Sequence, residues 1–183
     1  MIATAVYAAV RPDGQQVAAL EHIIFGFSGT YLKVFDAAGK QIVSGPEPFR
    51  YSLGWAPDGG ILLPWQGQQT GGDICRAVDD GGSWMCAQRV ASDPPNILGF
   101  PAVSPGGNEL AVSDGGRIAI FAYPSGSLLR VLTAGPGDST PAWSPDGSRI
   151  VFQRSDGTVS GSQVVVIGAD GSQLATYPDG SKV

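Results

Sequence analysis

PAWSPDGSRIVF, residues 141–152, decides the architecture. One apolar run enters Pro145-Asp146-Gly147 and a second leaves it. Proline presets φ for the second position of a turn, aspartate bonds nearby backbone amides, and glycine accepts a positive φ. Apolar runs on both sides of such a turn read as a β-hairpin. The phrase recurs as AAVRPDGQQVAAL (8–20), LGWAPDGGILLPW (53–65) and PAVSPGGNELAVS (101–113). The shared turns are Pro12-Asp13-Gly14, Pro57-Asp58-Gly59, Pro105-Gly106 and Pro145-Asp146-Gly147, at intervals of 45, 48 and 40 residues. Self-similarity at that period is the signature of a repeat architecture, in which each copy packs on its neighbours.

Each repeat continues into a second hairpin: YLKVF–DAAGK–QIVSG (31–45), DICRAV–DDGG–SWMCAQRV (73–90), RIAIFAY–PSG–SLLRVLT (117–133) and QVVVIG–ADG–SQLATY (163–177). The run Val164 to Ile167 is β-branched throughout, the composition of a strand buried on both faces. No window shows a 3.6-residue apolar period, so almost no helix is expected. Two hairpins per repeat make four antiparallel strands, the size of a propeller blade. The expected fold is all-β, one domain over 1–183, with blades at about 1–45, 46–92, 93–134 and 135–183.

SPDGSRIVF, followed by a strand and an ADG turn, resembles the TolB-type, WD-repeat-like bacterial β-propeller repeat. Related repeats form the propeller domains of prolyl-oligopeptidase-type proteins. The resemblance spans the whole chain, is strongest in the fourth repeat and is looser in the first two. It implies a fold and leaves function open. It also implies six or more blades, where this sequence holds four. Three arrangements follow: part of a larger propeller, a closed four-bladed ring, or copies that complete a ring or stack open edges as a homo-oligomer. Within the second repeat, AVDDGGSW (77–84) resembles the Asp-box hairpin of sialidase and sortilin propellers. Asp79, Gly81 and Trp84 match it, while Ala77 and Ser83 replace its serine and threonine. The resemblance implies a structural hairpin and carries over no sialidase chemistry.

Bulk composition narrows the function classes. Hydrophobic residues make up 43% and charged residues 15%, with 27 glycines and 14 prolines, which fits a folded chain of many short strands. The net charge is −5, and the lysines are Lys33, Lys40 and Lys182 only. A nucleic-acid binder needs a dense basic face, which is lacking. No apolar stretch reaches the length of a membrane span. MIATAVYAAV lacks the basic start of a signal sequence and reads as a first strand.

The chemistry-bearing residues are few. Folding the second repeat's hairpin about Asp80-Gly81 sets Cys75 opposite Cys86, so a cross-strand disulfide and an extracytoplasmic setting (periplasmic, secreted or cell-surface) are expected. His22 is the single histidine and reads as structural. G-x-S-x-G, HExxH, CxxC and P-loop patterns are absent, so no catalytic residue, metal or cofactor is assigned. Asp13, Asp58 and Asp146 stand in register; capping of their own turns is preferred over a shared cation. Trp55 and Trp143 hold equivalent positions and are expected to pack between blades. The connection LPWQGQQTGG (63–72) offers Trp65, Gln66, Gln68 and Gln69 for a ligand, and Phe25 and Phe27 mark a second loop of interface character. The favoured reading is a non-catalytic module for protein or peptide recognition or scaffolding. The alternatives are a regulatory propeller lobe of a prolyl-oligopeptidase-like hydrolase or other enzyme, and a carbohydrate-binding or sialidase-like protein.

Overall fold

The computed structural model describes residues 2–24, 29–47, 52–65, 72–79, 84–92, 98–135, 137–155, 157 and 161–178. Their strands form four sheets of four, each an antiparallel meander in chain order, arranged as blades of a β-propeller. Blade 1 holds β1 (Ile2–Val10), β2 (Gln16–Ile24), β3 (Gly29–Asp36) and β4 (Gln41–Glu47). Blade 2 holds β5 (Gly54–Trp55), β6 (Ile61–Trp65), β7 (Asp73–Asp79) and β8 (Trp84–Ser92). Blade 3 holds β9 (Leu98–Val103), β10 (Glu109–Asp114), β11 (Arg117–Ala122) and β12 (Leu128–Val131). Blade 4 holds β13 (Asp138–Trp143), β14 (Arg149–Ser155), β15 (Ser162–Gly168) and β16 (Gln173–Pro178). No helix occurs among the described residues.

The repeated turn works as its residues dictate. Gly14, Gly59, Gly107 and Gly147 each donate an N–H to the carbonyl three residues back, that of Arg11, Ala56, Ser104 and Ser144. All four lie at positive φ, between 71° and 81°. In blade 3 Gly106 stands where the other blades have aspartate. Ser104 makes the bond that Ser144 makes in blade 4, its Oγ accepting the Glu109 N–H at 3.1 Å as the Ser144 Oγ accepts the Arg149 N–H at 3.0 Å. The outermost strands share a second regularity. Their ladders step over Ile42, Ala87, Leu129 and Leu174, a bulge at the same place in every blade, and β8 steps over Val90 as well.

The cores lie between blades, not within them. Ala18, Leu20, Leu32 and Val34 of blade 1 meet Leu53, Trp55, Ile61 and Leu63 of blade 2. Leu62, Ile74 and Val90 of blade 2 meet Leu110, Val112 and Phe121 of blade 3. Ala111, Ile118 and Ile120 of blade 3 meet Ile150, Phe152, Val165 and Ile167 of blade 4. Each strand's alternating side chains therefore serve two neighbours. Among the described residues no fourth cluster joins blade 4 to blade 1.

Two tryptophans fasten this packing. The Trp55 Nε1–H donates to the Ala9 carbonyl at 2.9 Å, and the Trp143 Nε1–H to the Ala102 carbonyl at 3.0 Å. Both indoles stand two residues before the turn proline, and both carbonyls three residues before the preceding blade's. Blade 3 has Val103 at the indole position, and there the inner strands β5 and β9 approach closely. A Cβ on Gly54 would lie 2.2 Å from the Pro101 carbonyl oxygen.

Two expectations are corrected. The Cys75–Cys86 disulfide is present, with a Cα–Cα distance of 5.3 Å, but the residues are not directly opposed. Asp79 pairs with Trp84, so the loop is four residues long; Cys86 faces Ala77 and Cys75 faces Arg89. Bulges in β8 shift the ladder, and the bridge runs diagonally. The run Val164 to Ile167 is not buried on both faces. Val165 and Ile167 are buried against blade 3, while Val164 is 47% exposed. Burial of its second face would need a blade that the described residues do not supply.

Candidate functional site

The outer rim of blade 3 is unlike the others. β12 reads LLRV, and Leu128, Leu129 and Val131 are 46%, 50% and 42% exposed. Among the side chains described on the remaining outermost strands, one large apolar residue per strand is exposed, with polar ones near it: Ile42 beside Gln41 and Ser44, Met85 near Gln88 and Arg89, Tyr177 beside Thr176. β12 pairs with β11 on one side through Ala119↔Val131, Ile120↔Arg130 and Phe121↔Leu128, and it is the last strand of its sheet on the other. An open edge with apolar side chains and few charges is a template for another extended segment.

Arg130 holds this strand in place. Its guanidinium donates to both carboxylate oxygens of Glu109, at 2.7 and 2.9 Å, and to the Ala169 carbonyl of blade 4 at 3.1 Å. The hydrogen bonds from Arg130 hold the Glu109 carboxyl below its ordinary range, against an opposing effect of burial. One side chain thus ties β12 to β10 and to the next blade. On the other flank, the Gln88 amide donates to the Pro124 carbonyl at 3.3 Å. The edge is presented by a fixed rim.

Two concavities lie on the described surface. A recess of about 350 Å³ on the outward face of blade 4 is lined by Thr140, Val151, Gln153, Ser162, Gln163 and Val164. A groove of about 260 Å³ between blades 1 and 2 is lined by Gln16, Ile42, Ile61, Arg76 and Val78 among others. Arg76 lies there 3.3 Å from Asp58.

The turn aspartates and Asp138 are engaged in structure. Asp13, Asp58 and Asp146 each accept a backbone N–H from their own turn, from Gln15, Gly60 and Ser148 at 2.9–3.0 Å. The Ser144 hydroxyl, then the Ser148 amide and hydroxyl, hold the Asp146 carboxyl at about 2. Asp138 is fully buried and receives two hydrogen bonds from Arg154, at 2.6 and 2.9 Å. Those bonds raise the Arg154 value further. Among the described residues, no three metal-ligating side chains converge.

The loop residues singled out from sequence fall elsewhere. Gln66, Gln68, Gln69, Phe25, Phe27 and Gly81 lie outside the described residues. Trp65 closes β6, its backbone paired with Asp73. Of the Asp-box-like residues, Asp79 and Trp84 pair across the hairpin. His22 pairs with Thr4 and Thr30 inside blade 1. The β12 edge was missed because LLRVL (128–132) reads as an ordinary strand. Its signal was an apolar run without alternation on an outermost strand.

No family model and no curated protein matches the chain. Its structure is similar to that of a putative TolB from Agrobacterium tumefaciens, with TM-score 0.71 and 23% identity over 93% of this chain and 65% of that one. TolB from Acinetobacter baumannii matches with TM-score 0.68 and 16% identity, over 95% and 43%. A periplasmic gluconolactonase from Pseudomonas aeruginosa matches with TM-score 0.63 and 20% identity, over 96% and 58%. The chain thus has a TolB-type β-propeller fold and spans less than two thirds of each of these proteins. An enzyme stands among them, so the fold by itself does not decide for or against catalysis.

Proposed function

We propose that the chain is a non-catalytic recognition module that binds an extended segment of another protein along the edge of β12. The observation carrying this reading is the exposure of Leu128, Leu129 and Val131 on an open edge strand that Arg130 holds rigid. A bound segment would continue the sheet by main-chain hydrogen bonds and cover the three side chains. The setting we propose is extracytoplasmic, supported by the Cys75–Cys86 disulfide, a bond that persists in oxidising compartments.

The test is selection from a random twelve-residue peptide library displayed on phage, followed by titration of the selected synthetic peptides. Leu129→Asp and Val131→Asp each weaken those peptides at least tenfold, because both put a charge on the covered strip. Peptides that bind all three proteins equally would refute the β12 reading.

A further inference from the structure

The outward faces of blades 4 and 1 are the two halves of an interface that the fold has already built three times. Each blade turns one set of side chains to the following blade. Ala18, Leu62 and Ala111 do this from equivalent positions and are fully buried; Val151 is their counterpart in blade 4 and is half-buried. Leu32, Ile74 and Ile118 are likewise buried, and Val164 is their exposed counterpart. The other set faces the preceding blade. Ile61, Leu110 and Ile150 are buried there, and Val17 is their half-buried counterpart in blade 1. Trp55, Val103 and Trp143 pack back onto the preceding blade, while Val10, at the same position, is 62% exposed.

We propose that blade 1 of a second copy docks on the outward face of blade 4, and reciprocally, so that two chains close a ring of eight blades. The contact continues the blade-to-blade packing already present. The polar residues agree with it. Blade 1 carries an ion pair, Lys33–Glu21, where the later blades place Cys75, Ala119 and Val165. At the same level blade 4 offers Gln153, whose amide donates to the Ser162 hydroxyl at 2.8 Å, where earlier blades have Leu20, Pro64 and Ser113. Polar groups would therefore meet polar groups. The interface between blades 3 and 4 already holds an ion pair at this end, Asp138–Arg154. Reciprocal docking covers the outward faces of blades 1 and 4, and eight blades lie within the usual propeller range.

Light scattering and sedimentation across a concentration series test the proposal. The expected species is a discrete dimer of about twice the 18.8 kDa chain mass, with nothing larger. Val10→Asp and Val164→Asp, both at exposed positions that leave the folded chain's own cores intact, each raise the dissociation constant at least a hundredfold. Circular dichroism checks that both stay folded. Mixing the two variants restores one intact junction, so the mixture dimerises at lower concentration than either alone. Leu129→Asp leaves the mass unchanged, which separates this proposal from the β12 reading. A monomer at every concentration, an open-ended series of oligomers, or a dimer broken by Val164→Asp and untouched by Val10→Asp would each overturn it.

Discussion

Replacing Trp55 or Trp143 by phenylalanine tests whether the indoles fasten one blade to the next. Phenylalanine keeps an aromatic ring at the site and deletes the Nε1–H that reaches Ala9 or Ala102 at 2.9 and 3.0 Å. The lost hydrogen bond costs about 1 kcal/mol net in each case. Trp55 is only 8% exposed, so the space its second ring vacates does not refill. That cavity adds about 1–2 kcal/mol at Trp55 and little at the more exposed Trp143. For a chain of this size the sums correspond to a fall in melting temperature of roughly 4–12 °C for Trp55→Phe and roughly 2–4 °C for Trp143→Phe. The two residues belong to different interfaces, so the double variant should lose the sum to within about 0.5 kcal/mol. Thermal unfolding followed by circular dichroism at 218 nm, a wavelength at about the usual β-sheet minimum, gives all three values. Melting temperatures within about 1 °C of the parent for both single variants would show that the indole N–H groups do not hold the blades, and the reasoning would fail.

Cys75→Ala with Cys86→Ala opens a loop closed across 11 residues and should cost about 2–3 kcal/mol, read as a lower midpoint in urea. Gly54→Ala sets a methyl against the Pro101 carbonyl oxygen and should destabilise by about 3 kcal/mol or more, whereas Gly39→Ala, at φ +79° with open space around it, should cost only about 1 kcal/mol. Acid should weaken the fold in a definite window. The Glu109, Asp146 and Asp170 carboxyls all lie below their ordinary values in the folded chain, so their contribution is full above those values and is lost as pH falls through the folded ones. For Asp146 the loss runs from its ordinary 3.8 down to about 2, and Asp146→Asn should flatten the acid limb of a stability–pH curve there.

The blades were legible because their turns are local chemistry. Pro145-Asp146-Gly147 specifies a hairpin whatever surrounds it, and the four copies place sixteen strands close to where they occur. The Trp55 and Trp143 contacts were legible for the same reason, since equivalent positions in a repeat meet equivalent neighbours. The disulfide partners were legible and their register was not. A hairpin drawn from spacing assumes a two-residue turn and an even ladder, and β8 has neither. The exposure of Val164 was hidden because composition reports what a strand is suited to, while burial depends on which sheet lies next to it. The β12 edge was hidden because sequence does not say which strand of a meander faces outward with its apolar side chains uncovered.

The two surfaces left uncovered differ in what they can bind. Full burial of an aliphatic side chain contributes about 1.5–3 kcal/mol. Leu128, Leu129 and Val131 are already half covered, so a docked segment gains about 3–4 kcal/mol from them, before its main-chain bonds and its ordering cost. That total suits a dissociation constant of roughly micromolar or weaker, the range of a reversible contact. The face of blade 4 presents a whole sheet, with Ala142, Val151, Val164, Val166 and Tyr177 at or near its surface. A complementary sheet there repeats an interface the chain already uses three times, which is a lasting association. Under the proposed assembly the end faces would set how many blades associate, while the rim strand β12 would meet partners reversibly. Two chains in one ring would carry two such edges, and a partner with two extended segments would gain avidity without any new contact.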